Sequence, residues 1–365
     1  MPRIRSAPWV PLLLAALAAC EGGEVRTRPA EPGDTLSLRE RERIPGALVF
    51  ISRRDGNAEL YRVRPTSADL RRLTDSPATE DFTGPLSPDG REMATVARHA
   101  YTPRLRLTQV VVRPLPGGGA RGVGPRALRL RAPAWSRDGR WIYFESDSAS
   151  FRDLYRVSRD GRHLQRLTDH PQGNYAPEVS PTGEWVLFGS SRTMDGLQLF
   201  RMRPDGSAQQ RLTREPRDHW GARWSSDGRR IAFVSDRGGA ERVWIMDADG
   251  GNPRRLTAGD TLPATVEAQP AWSPADPGRI AYAVRRIGEP ARIRVQDVDG
   301  RRVREVPVGR EGGDDTPVWS PDGRYLAFTS TRDGDAELYL ARADGSRPTR
   351  LTRARGADFD PVWVP

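Results

Sequence analysis

The chain has one cysteine, no lysine and four histidines in 365 residues. One cysteine cannot pair within the chain, so a disulfide scaffold is excluded. Without lysine the chain cannot form a lysine Schiff base or the usual phosphate-binding P-loop. The four histidines lie in different segments, without the spacing of transition-metal ligands. They are His99, His163, His170 and His219.

Long apolar runs are also missing. Hydrophobic residues make up 36% of the chain and the mean hydropathy is −0.66, which excludes a protein with several membrane spans. Wholesale disorder is excluded as well, because 10 Trp, 8 Tyr and 9 Phe are spread along the chain and require burial. The 36 Gly and 32 Pro show no collagen period and indicate many turns between short strands.

Basic residues outnumber acidic residues, but they are not concentrated in one region of the chain. All 58 basic residues are arginines, against 48 acidic residues, and the formal net charge is +10. A basic protein raises nucleic acid as a partner when its cations form one patch or arm. Here the arginines are spread over the whole chain, so nucleic acid is not predicted as a partner.

The N-terminus carries the features of a signal peptide. Arg3 and Arg5 form a basic segment, and Val10–Ala19 is an apolar run too short to span a bilayer. The run ends in Leu-Ala-Ala-Cys at residues 17–20, which resembles the bacterial lipobox. In that family the chain is cut before the cysteine and its thiol is acylated. The resemblance therefore implies that Cys20 becomes the lipidated N-terminus.

Residues 1–19 are accordingly predicted to be a lipoprotein signal peptide. Residues 20–45 are polar and rich in Pro and Gly, which predicts a flexible lipidated tether. Two or three acyl chains attach a protein stably to a membrane. The residue after the cysteine is Glu21, whereas an Asp there would resemble an inner-membrane retention signal. In a Gram-negative source, we expect an outer-membrane lipoprotein facing the periplasm.

From residue 46 the chain repeats one unit. Its clearest copy reads Pro-Val-Trp-Ser-Pro-Asp-Gly at residues 317–323 and continues to Arg-Leu-Thr at residues 350–352. The Trp position recurs at intervals of 44 to 49 residues, which is the scale of a propeller blade. The seven residues at this position are Leu86, Trp135, Val179, Trp224, Trp272, Trp319 and Trp363.

Each copy holds four strand signals: the Pro-x-Trp-Ser segment, an apolar triplet, a Leu-Tyr-like pair and Arg-Leu-Thr. Short strands joined by Asp-Gly turns predict an antiparallel meander. The first copy lacks its first strand, and residues 358–363 form a first strand with no copy after it. Joining the two ends completes a blade and removes the free sheet edges. The prediction is an all-β, closed seven-bladed β-propeller over residues 46–365, with a composite N- and C-terminal blade.

These motifs resemble the TolB-type, WD40-like (PD40) propeller family over nearly the whole predicted mature chain. Two features depart from TolB itself, which carries an α/β domain before a six-bladed propeller. Neither that domain nor that blade count is seen in this sequence. A role in the Tol–Pal envelope system therefore does not follow from the resemblance alone.

Residues that recur in every copy are interpreted as architecture. The tryptophans are predicted to pack between sheets, with carbohydrate stacking as the alternative, and the Asp of each Asp-Gly to shape a turn. A binding site must break the repeat, so we compared the segments that lead into the innermost strands. At two adjacent positions they carry acidic, aromatic and other polar residues that differ between copies. These candidate rim residues are Asp81, Phe82, Arg131, Asn174, Tyr175, His219, Trp220, Glu267, Asp314, Asp315, Asp358 and Phe359.

Glu267, the pair Asp314 and Asp315, and Asp358 with Asp360 come from consecutive copies and form a predicted acidic arc. With the aromatic residues it suits the polar rim and anchors of a site for a peptide or a protein loop. The competing interpretation is that these residues cap loops and stay solvated. A hard cation such as calcium is a weak alternative ligand, since no EF-hand loop is present. No cofactor or metal is therefore predicted.

Catalysis finds little support in the sequence. Propeller peptidases resemble this chain in their repeats but carry a hydrolase domain with Gly-x-Ser-x-Gly, and that motif is absent. Oligogalacturonate lyase also resembles this propeller class, but its histidine-rich metal site has no matching cluster. A pair of carboxylates of the glycosidase type stays open, because sequence does not give the distance between two ring acids.

The sequence thus predicts a non-enzymatic, monomeric, lipid-anchored propeller of the cell envelope that binds a protein or peptide through its channel mouth and loops. The alternative is a propeller that binds or degrades polysaccharide. A third interpretation is a structural lipoprotein without a discrete site. The long second copy also contains a Gly-rich insert, residues 99–124, which predicts a mobile loop.

Overall fold

A computed structural model describes residues 35–75, 79–100, 106–115, 117–127, 129–149, 151–257, 265–300, 302–307 and 312–365, without the side chains of residues 79–81, 100 and 106. The predicted signal peptide and Cys20 lie outside these ranges. Among the described residues, no helix has the length and apolar character to span a membrane.

The described residues form one short helix and twenty-eight strands. Helix α1 is Leu38–Glu42. Strands β1–β3 are Ala47–Ser52, Glu59–Val63 and Arg71–Arg72; β4–β7 are Thr79–Phe82, Glu92–Ala100, Arg106–Pro114 and Arg121–Ala127. Strands β8–β11 are Leu130–Trp135, Trp141–Ser146, Asp153–Ser158 and Leu164–Arg166; β12–β15 are Asn174–Val179, Val186–Ser190, Gln198–Met202 and Gln210–Arg211. Strands β16–β19 are His219–Trp224, Arg230–Ser235, Arg242–Asp247 and Arg254–Arg255; β20–β23 are Thr265–Trp272, Arg279–Arg286, Arg292–Asp297 and Val303–Glu305. Strands β24–β27 are Asp314–Trp319, Tyr325–Ser330, Glu337–Arg342 and Thr349–Arg350, and β28 is Asp358–Val364.

The strands of the described chain make seven four-stranded antiparallel sheets, each packed on its neighbours in a ring. Blade 1 has the order β28-β1-β2-β3, and blades 2 to 7 take the following strands four at a time. Within blade 1, Leu48 pairs with Trp363 and Ala47 with Val364. The predicted all-β propeller of seven blades, closed by a composite blade, is confirmed.

The recurring tryptophan joins neighbouring blades, as predicted. The indole ring of this tryptophan is buried. The indole Nε1 donates to a backbone carbonyl of the preceding blade, either in the first strand of that blade or in the segment before its Ser-Pro turn. Because the ring supplies apolar area and the N–H finds an acceptor, the same residue seals each junction without an unpaired polar group. These bonds are Trp135 to Pro85 (3.1 Å), Trp272 to Arg223 (3.0 Å) and Trp319 to Ala271 (2.9 Å).

The Arg-Leu-Thr motif closes each blade on its outer side. In blade 3, the Thr168 hydroxyl accepts from the backbone N–H of Leu154 and donates to Asp153, both at 2.9 Å. Arg166 of the same motif also pairs with Asp153. The repeated threonine thus satisfies a backbone donor and a buried carboxylate at once, which explains why sequence copies retain it.

Residues 35–45 correct the predicted boundary of the tether. Ser37 caps α1 by accepting from the N–H of Glu40, and Leu36 and Ile44 are buried against blades 7 and 1. Glu40 forms an ion pair with Arg342 at 2.8 Å. Two buried apolar side chains and an ion pair anchor this segment, so the packed part of the chain begins about ten residues before position 46.

The insert in the second copy differs from its prediction. Strands β5 and β6 have nine residues each, and β6 leads through Gly117–Gly119 into β7. Met93, Val110 and Val112 are buried. Much of the extra length therefore extends the hairpin of blade 2, because its alternating apolar residues continue the pairing. Residues 101–105, which lie in the insert, are outside the described ranges.

A substitution at Gly46 tests the closure of the ring. Gly46 has φ +80°, and a Cβ there would lie 2.3 Å from the carbonyl oxygen of Val364 on the closing strand. Gly56, with φ +100°, has no atom within 4 Å of the same position. We expect Gly56→Ala to lower the free energy of unfolding by about 1–2 kcal/mol through backbone strain alone. Gly46→Ala should lower it by at least about 3 kcal/mol, since β28 must also move. Urea unfolding of both variants measures this, and equal losses would contradict the assigned closure.

Candidate binding face at the channel mouth

The predicted rim residues begin the innermost strands, at one edge of the ring. The hairpins between second and third strands project from the same edge, because Leu130 pairs with Ser146 and Asn174 with Ser190. We call this edge the mouth face. The opposite edge, which carries the Ser-Pro-Asp-Gly turns, is called the turn face.

The first of the two rim positions is buried in the described part of the ring. Relative exposure is 0% for Asn174, His219, Glu267, Asp314 and Asp358. The backbone of Asp81 lies in β4, and its side chain is outside the described set. These side chains are therefore not solvated caps.

An arginine after the second strand binds this first position in three blades. Its Nε donates to the serine that ends the strand, its Nη2 reaches the first-position side chain, and its plane stacks on two aromatic rings. A guanidinium that donates hydrogen bonds from its edge and stacks on aromatic rings with its face is fixed in position as a partner for a buried side chain. The three pairs are Arg54–Asp358 at 2.6 Å, Arg332–Asp314 at 2.7 Å and Arg192–Asn174 at 2.8 Å.

Glu267 serves the architecture of the neighbouring blade. In blade 5 the acid that other copies place at the start of the third strand is replaced by Arg242. Glu267 of blade 6 takes over its place, accepting from the N–H of Val243 at 2.9 Å and from the Thr257 hydroxyl at 2.8 Å. Burial raises the pKa of Glu267, and both hydrogen bonds oppose that shift. The predicted arc therefore loses this member.

His219 replaces the carboxylate of the first position in blade 5. Its ring is edge-on to Phe233, and burial lowers its pKa, so it is neutral at pH 7. The corresponding arginine, Arg237, turns away to pair with Glu215 at 2.8 Å and lies 3.3 Å from the ring centre of Trp244. No cluster of three or more metal-ligating side chains exists among the described residues.

The second rim position is more accessible. Arg131 is exposed, and Tyr175, Trp220, Asp315 and Phe82 are partly exposed. Phe359 is buried, with 5% relative exposure. The structure therefore divides the predicted set into a buried inner layer and an outer layer that is accessible to solvent.

The alternation of side chains along the innermost strand accounts for this division, and a bulge follows it. In six blades the residue after the second rim position has positive φ, and the pairing register shifts there. A bulge re-aims the side chains that follow, and a positive φ is strained for residues other than glycine. These residues are Ala132, Ala176, Gly221, Gln269, Thr316 and Asp360.

Blades 7 and 1 give the mouth an acidic side. Burial and the nearby charge of Asp360 raise the pKa of Asp315 to about 7, and burial raises the pKa of Asp360 to about 6. The Thr316 hydroxyl lies 3.3 Å from Asp315, and the Thr316 N–H donates to Gln269 at 2.8 Å. Two interacting carboxyls of this kind titrate as a pair and keep a proton near neutral pH.

Blade 3 gives the opposite side of the mouth a basic and aromatic character. Arg131 is opposite Glu145 in the strand pairing, and Arg152 lies 3.8 Å from the same carboxylate. Arg152 also covers the ring of Tyr175, 5.0 Å from its centre. Glu145 itself is buried and accepts from the N–H of Ala176 at 2.9 Å. Sequence reasoning missed Glu145 and Arg152, although an acid after the apolar triplet breaks the repeat.

Apolar side chains surround the mouth at the tips of three hairpins. Phe151 of blade 3, Met194 of blade 4 and Ile287 of blade 6 have relative exposures of 47%, 78% and 74%. The corresponding hairpins of blades 1, 5 and 7 carry polar residues, glycine and alanine. The mouth face thus combines apolar tips with a charged and aromatic centre.

Comparison with protein families identifies the repeats. A model described as the TolB beta propeller domain matches residues 169–269 and 264–365. A TolB homolog from Chlorobium luteolum is 32% identical over 133 residues, which are 36% of this chain and 28% of the relative. The Tol-Pal system protein TolB of Desulfosudis oleivorans is 32% identical over 125 residues, which are 34% of this chain and 27% of the relative. The aligned regions thus span little more than a quarter of these relatives.

Solved structures share the fold at low sequence identity. TolB from Acinetobacter baumannii has a TM-score of 0.56 and 20% identity, covering 91% of this chain and 86% of that one. A puromycin hydrolase has a TM-score of 0.64 and 16% identity over 87% of this chain and 53% of its own. An oligogalacturonate lyase in complex with manganese has a TM-score of 0.62 and 15% identity over 85% and 86% of the two chains. At these identities the likeness concerns the fold alone.

The acidic side of the mouth predicts a dependence of stability on pH. The folded state binds the proton of Asp315 more tightly than the unfolded chain, so its contribution is full below pH 4 and is lost as the pH rises through about 7. We expect Asp315→Asn to match the native protein at pH 4 and to exceed it at pH 8 by about 2 kcal/mol.

A matched control variant should change the free energy of unfolding in the opposite direction. Hydrogen bonds from Ser346 hold the pKa of Asp344, on the same blade, below its usual range. Asp344→Asn should therefore lose stability near pH 7, where Asp315→Asn gains it. Urea unfolding at pH 4, 6 and 8 measures both variants, and a flat difference for Asp315→Asn would contradict the prediction.

Proposed function

The chain belongs to the TolB β-propeller family, whose model matches more than half of it, and we propose that it is a non-enzymatic protein-binding module of the cell envelope. The curated relatives are named as TolB proteins, one of them as a Tol-Pal system protein. The aligned region covers little more than a quarter of those proteins. We therefore extend only a protein-binding role in the envelope to this chain.

The observation that carries the proposal is the ring of apolar tips on the mouth face. Phe151, Met194 and Ile287 lie in hairpins at the same edge of the propeller as the accessible rim residues. Scattered apolar residues on a surface need no explanation, but several placed around one concave centre are typical of a protein interface. A partner that covers these tips would gain apolar burial at the periphery and polar contacts at the centre.

The charges of the mouth would orient that partner. Asp315 and Asp360 lie on one side, and Arg131 and Arg152 on the other. Such a division favours a partner segment with a basic end and an acidic end, and it disfavours the reversed orientation. The aromatic residues Tyr175 and Trp220 between them supply the rigid contact area that anchors protein interfaces.

A capture experiment tests this role. The double variant Arg131→Glu and Trp220→Ala changes two accessible residues of the mouth, and Arg140→Glu with Trp141→Ala changes a similar pair at or near the turn face of blade 3. After a check of thermal stability, each protein is crosslinked in cells, captured and analysed by mass spectrometry. We expect the native protein and the control variant each to enrich an envelope protein at least about tenfold. The mouth variant should no longer capture that protein. Equal capture by all three proteins would contradict a partner at the mouth.

A second candidate, a polysaccharide-degrading propeller, draws on the raised pKa values of Asp315 and Asp360. A carboxyl that keeps its proton near pH 7 has the property required of a general acid, and a second carboxyl beside it is the usual companion in glycoside hydrolysis. Product release from a polysaccharide panel that disappears in Asp315→Asn would favour this candidate over the protein-binding role.

We further propose that Cys20 anchors the protein to a membrane, with residues 20–34 as the tether in front of the packed segment. The support is the position of the single cysteine directly after an apolar run of signal-peptide length. Cys20→Ser is expected to move the protein from the membrane fraction to the soluble fraction and to remove the mass of the acyl chains. Intact-mass analysis of both proteins measures this, and an unmodified Cys20 in the native protein would refute the anchor.

A further inference from the structure

A second site lies on the turn face, away from the mouth. A cavity of about 400 Å³ separates the α1 segment from blade 1. Arg41, Arg62 and Arg64 line it together with Thr66, and Ile44 and Pro65 give it an apolar wall. We call this cavity the arginine pocket. Its volume lies in the range of sites for small organic ligands.

Arg62 has lost the partners that hold its counterparts. In blade 3 the equivalent Arg156 stacks on Trp141, 4.2 Å from the ring centre, and donates to the carbonyl of Pro204 at 2.9 Å. Blade 1 has Ala47 at the tryptophan position, so no ring covers Arg62. Blade 4 repeats the arrangement of blade 3 with Arg201, Trp185 and the carbonyl of Ala248.

The turn beside Arg62 has also lost the aspartate that the repeat places there. In blades 3 to 7 the turn between the third and fourth strands contains Asp-Gly, and blade 1 has Thr66-Ser67 in its place. The Thr66 hydroxyl accepts from the N–H of Ala68 at 3.4 Å. In other blades the aspartate at this position accepts in the same way from the backbone N–H two residues later. The turn thus keeps its hydrogen bond without the carboxylate that would neutralise an arginine. The replaced aspartates are Asp160, Asp205, Asp249, Asp299 and Asp344.

The third guanidinium comes from outside the repeat. Arg41 lies in α1, which Glu40 holds on blade 7 through its ion pair with Arg342. Its Nη1 donates to the Ser67 hydroxyl at 3.2 Å, while its Nε is buried without a hydrogen-bond partner among the described residues. A buried donor left unpaired is unfavourable unless a ligand or water occupies the site.

Positive charge exceeds negative charge in this cavity. Asp69 lies 2.6 Å from Arg71, 3.6 Å from Arg62 and 3.7 Å from Arg64, so one carboxylate is shared among three guanidiniums. Glu42 at the border is exposed. Guanidiniums match the oxygens of a phosphate group with paired hydrogen bonds. We propose that the arginine pocket binds the phosphate group of a small organic ligand, whose carbon skeleton packs against Ile44 and Pro65.

Isothermal titration of the full chain tests the proposal, with glycerol 3-phosphate as the probe and glycerol as the neutral control. The native protein is expected to bind the phosphate ester and not glycerol. Arg62→Ala should weaken binding at least about tenfold, because it removes a charged hydrogen-bond donor to the phosphate oxygens. Arg156→Ala removes the equivalent arginine of blade 3 and should leave binding unchanged.

Thr66→Asp keeps the test independent of folding defects. It restores the residue that five other blades carry at this turn, so we expect no loss of thermal stability. The added carboxylate neutralises the pocket and should abolish binding of glycerol 3-phosphate. Binding that survives both Thr66→Asp and Arg62→Ala would overturn the proposal.

A second arm identifies the source of the phosphate group. Vesicles of phosphatidylcholine with one quarter phosphatidylglycerol are sedimented with the native protein and with Arg62→Ala, so that any attachment through the N-terminus is common to both. If Arg62→Ala loses binding to the vesicles but not to glycerol 3-phosphate, the pocket is assigned to a lipid headgroup. A loss in the glycerol 3-phosphate arm alone would assign it to a soluble ester, and no difference in either arm would refute the site.

Discussion

The pairing of β28 with β1 is the constraint on which the rest of this structure depends. Blade 1 consists of strands from both ends of the described chain, and the register of Leu48 with Trp363 sets the closure of the ring. Every blade then has a neighbour on each side, and no inner strand is left with an open face. The same closure creates the groove in which residues 35–45 pack, because Leu36 and Ile44 are buried at the junction of blades 7 and 1. The arginine pocket exists because that segment crosses blade 1.

Between the blades, a small set of hydrogen bonds repeats, and this repetition leaves few positions free to evolve a function. A tryptophan indole joins five of the seven blades to the previous one, and the threonine of Arg-Leu-Thr closes the outer side of the blades that carry this motif. Function therefore belongs to places where the set is altered. Glu145 on blade 3 enters a position that is apolar or small in other blades, and Ala47 with Thr66 on blade 1 replace a tryptophan and an aspartate. One alteration lies at the mouth face and the other at the turn face, so the two sites do not overlap.

The fold could be predicted from the sequence almost completely, since period, turn chemistry and strand alternation all indicate one architecture. The site could be predicted only in part. The sequence locates the ring of variable residues, but it does not show which of two adjacent positions faces solvent. Asp314 and Asp358 are buried because an arginine after the second strand reaches them, whereas Asp315 lies at the mouth. Glu267 is buried because Arg242 in the previous blade displaced an acid, and such compensation between blades has no local signature. Helix α1 was missed because five residues are too few to show a helical period.

The composite blade also determines when this protein can finish folding. Strands β1–β3 are synthesised first, but β28, the partner of β1, begins 306 residues after β1 ends. Blades 2 to 7 are built from contiguous sequence and can form in order as the chain emerges, whereas blade 1 must keep an unpaired edge throughout. Synthesis proceeds from the N-terminus, so this edge is the longest exposed and the most open to pairing with other chains. Chaperone demand and proteolytic loss should therefore concentrate on the unpaired edge of β1, and a truncation that removes β28 would leave blade 1 with three strands and the ring open.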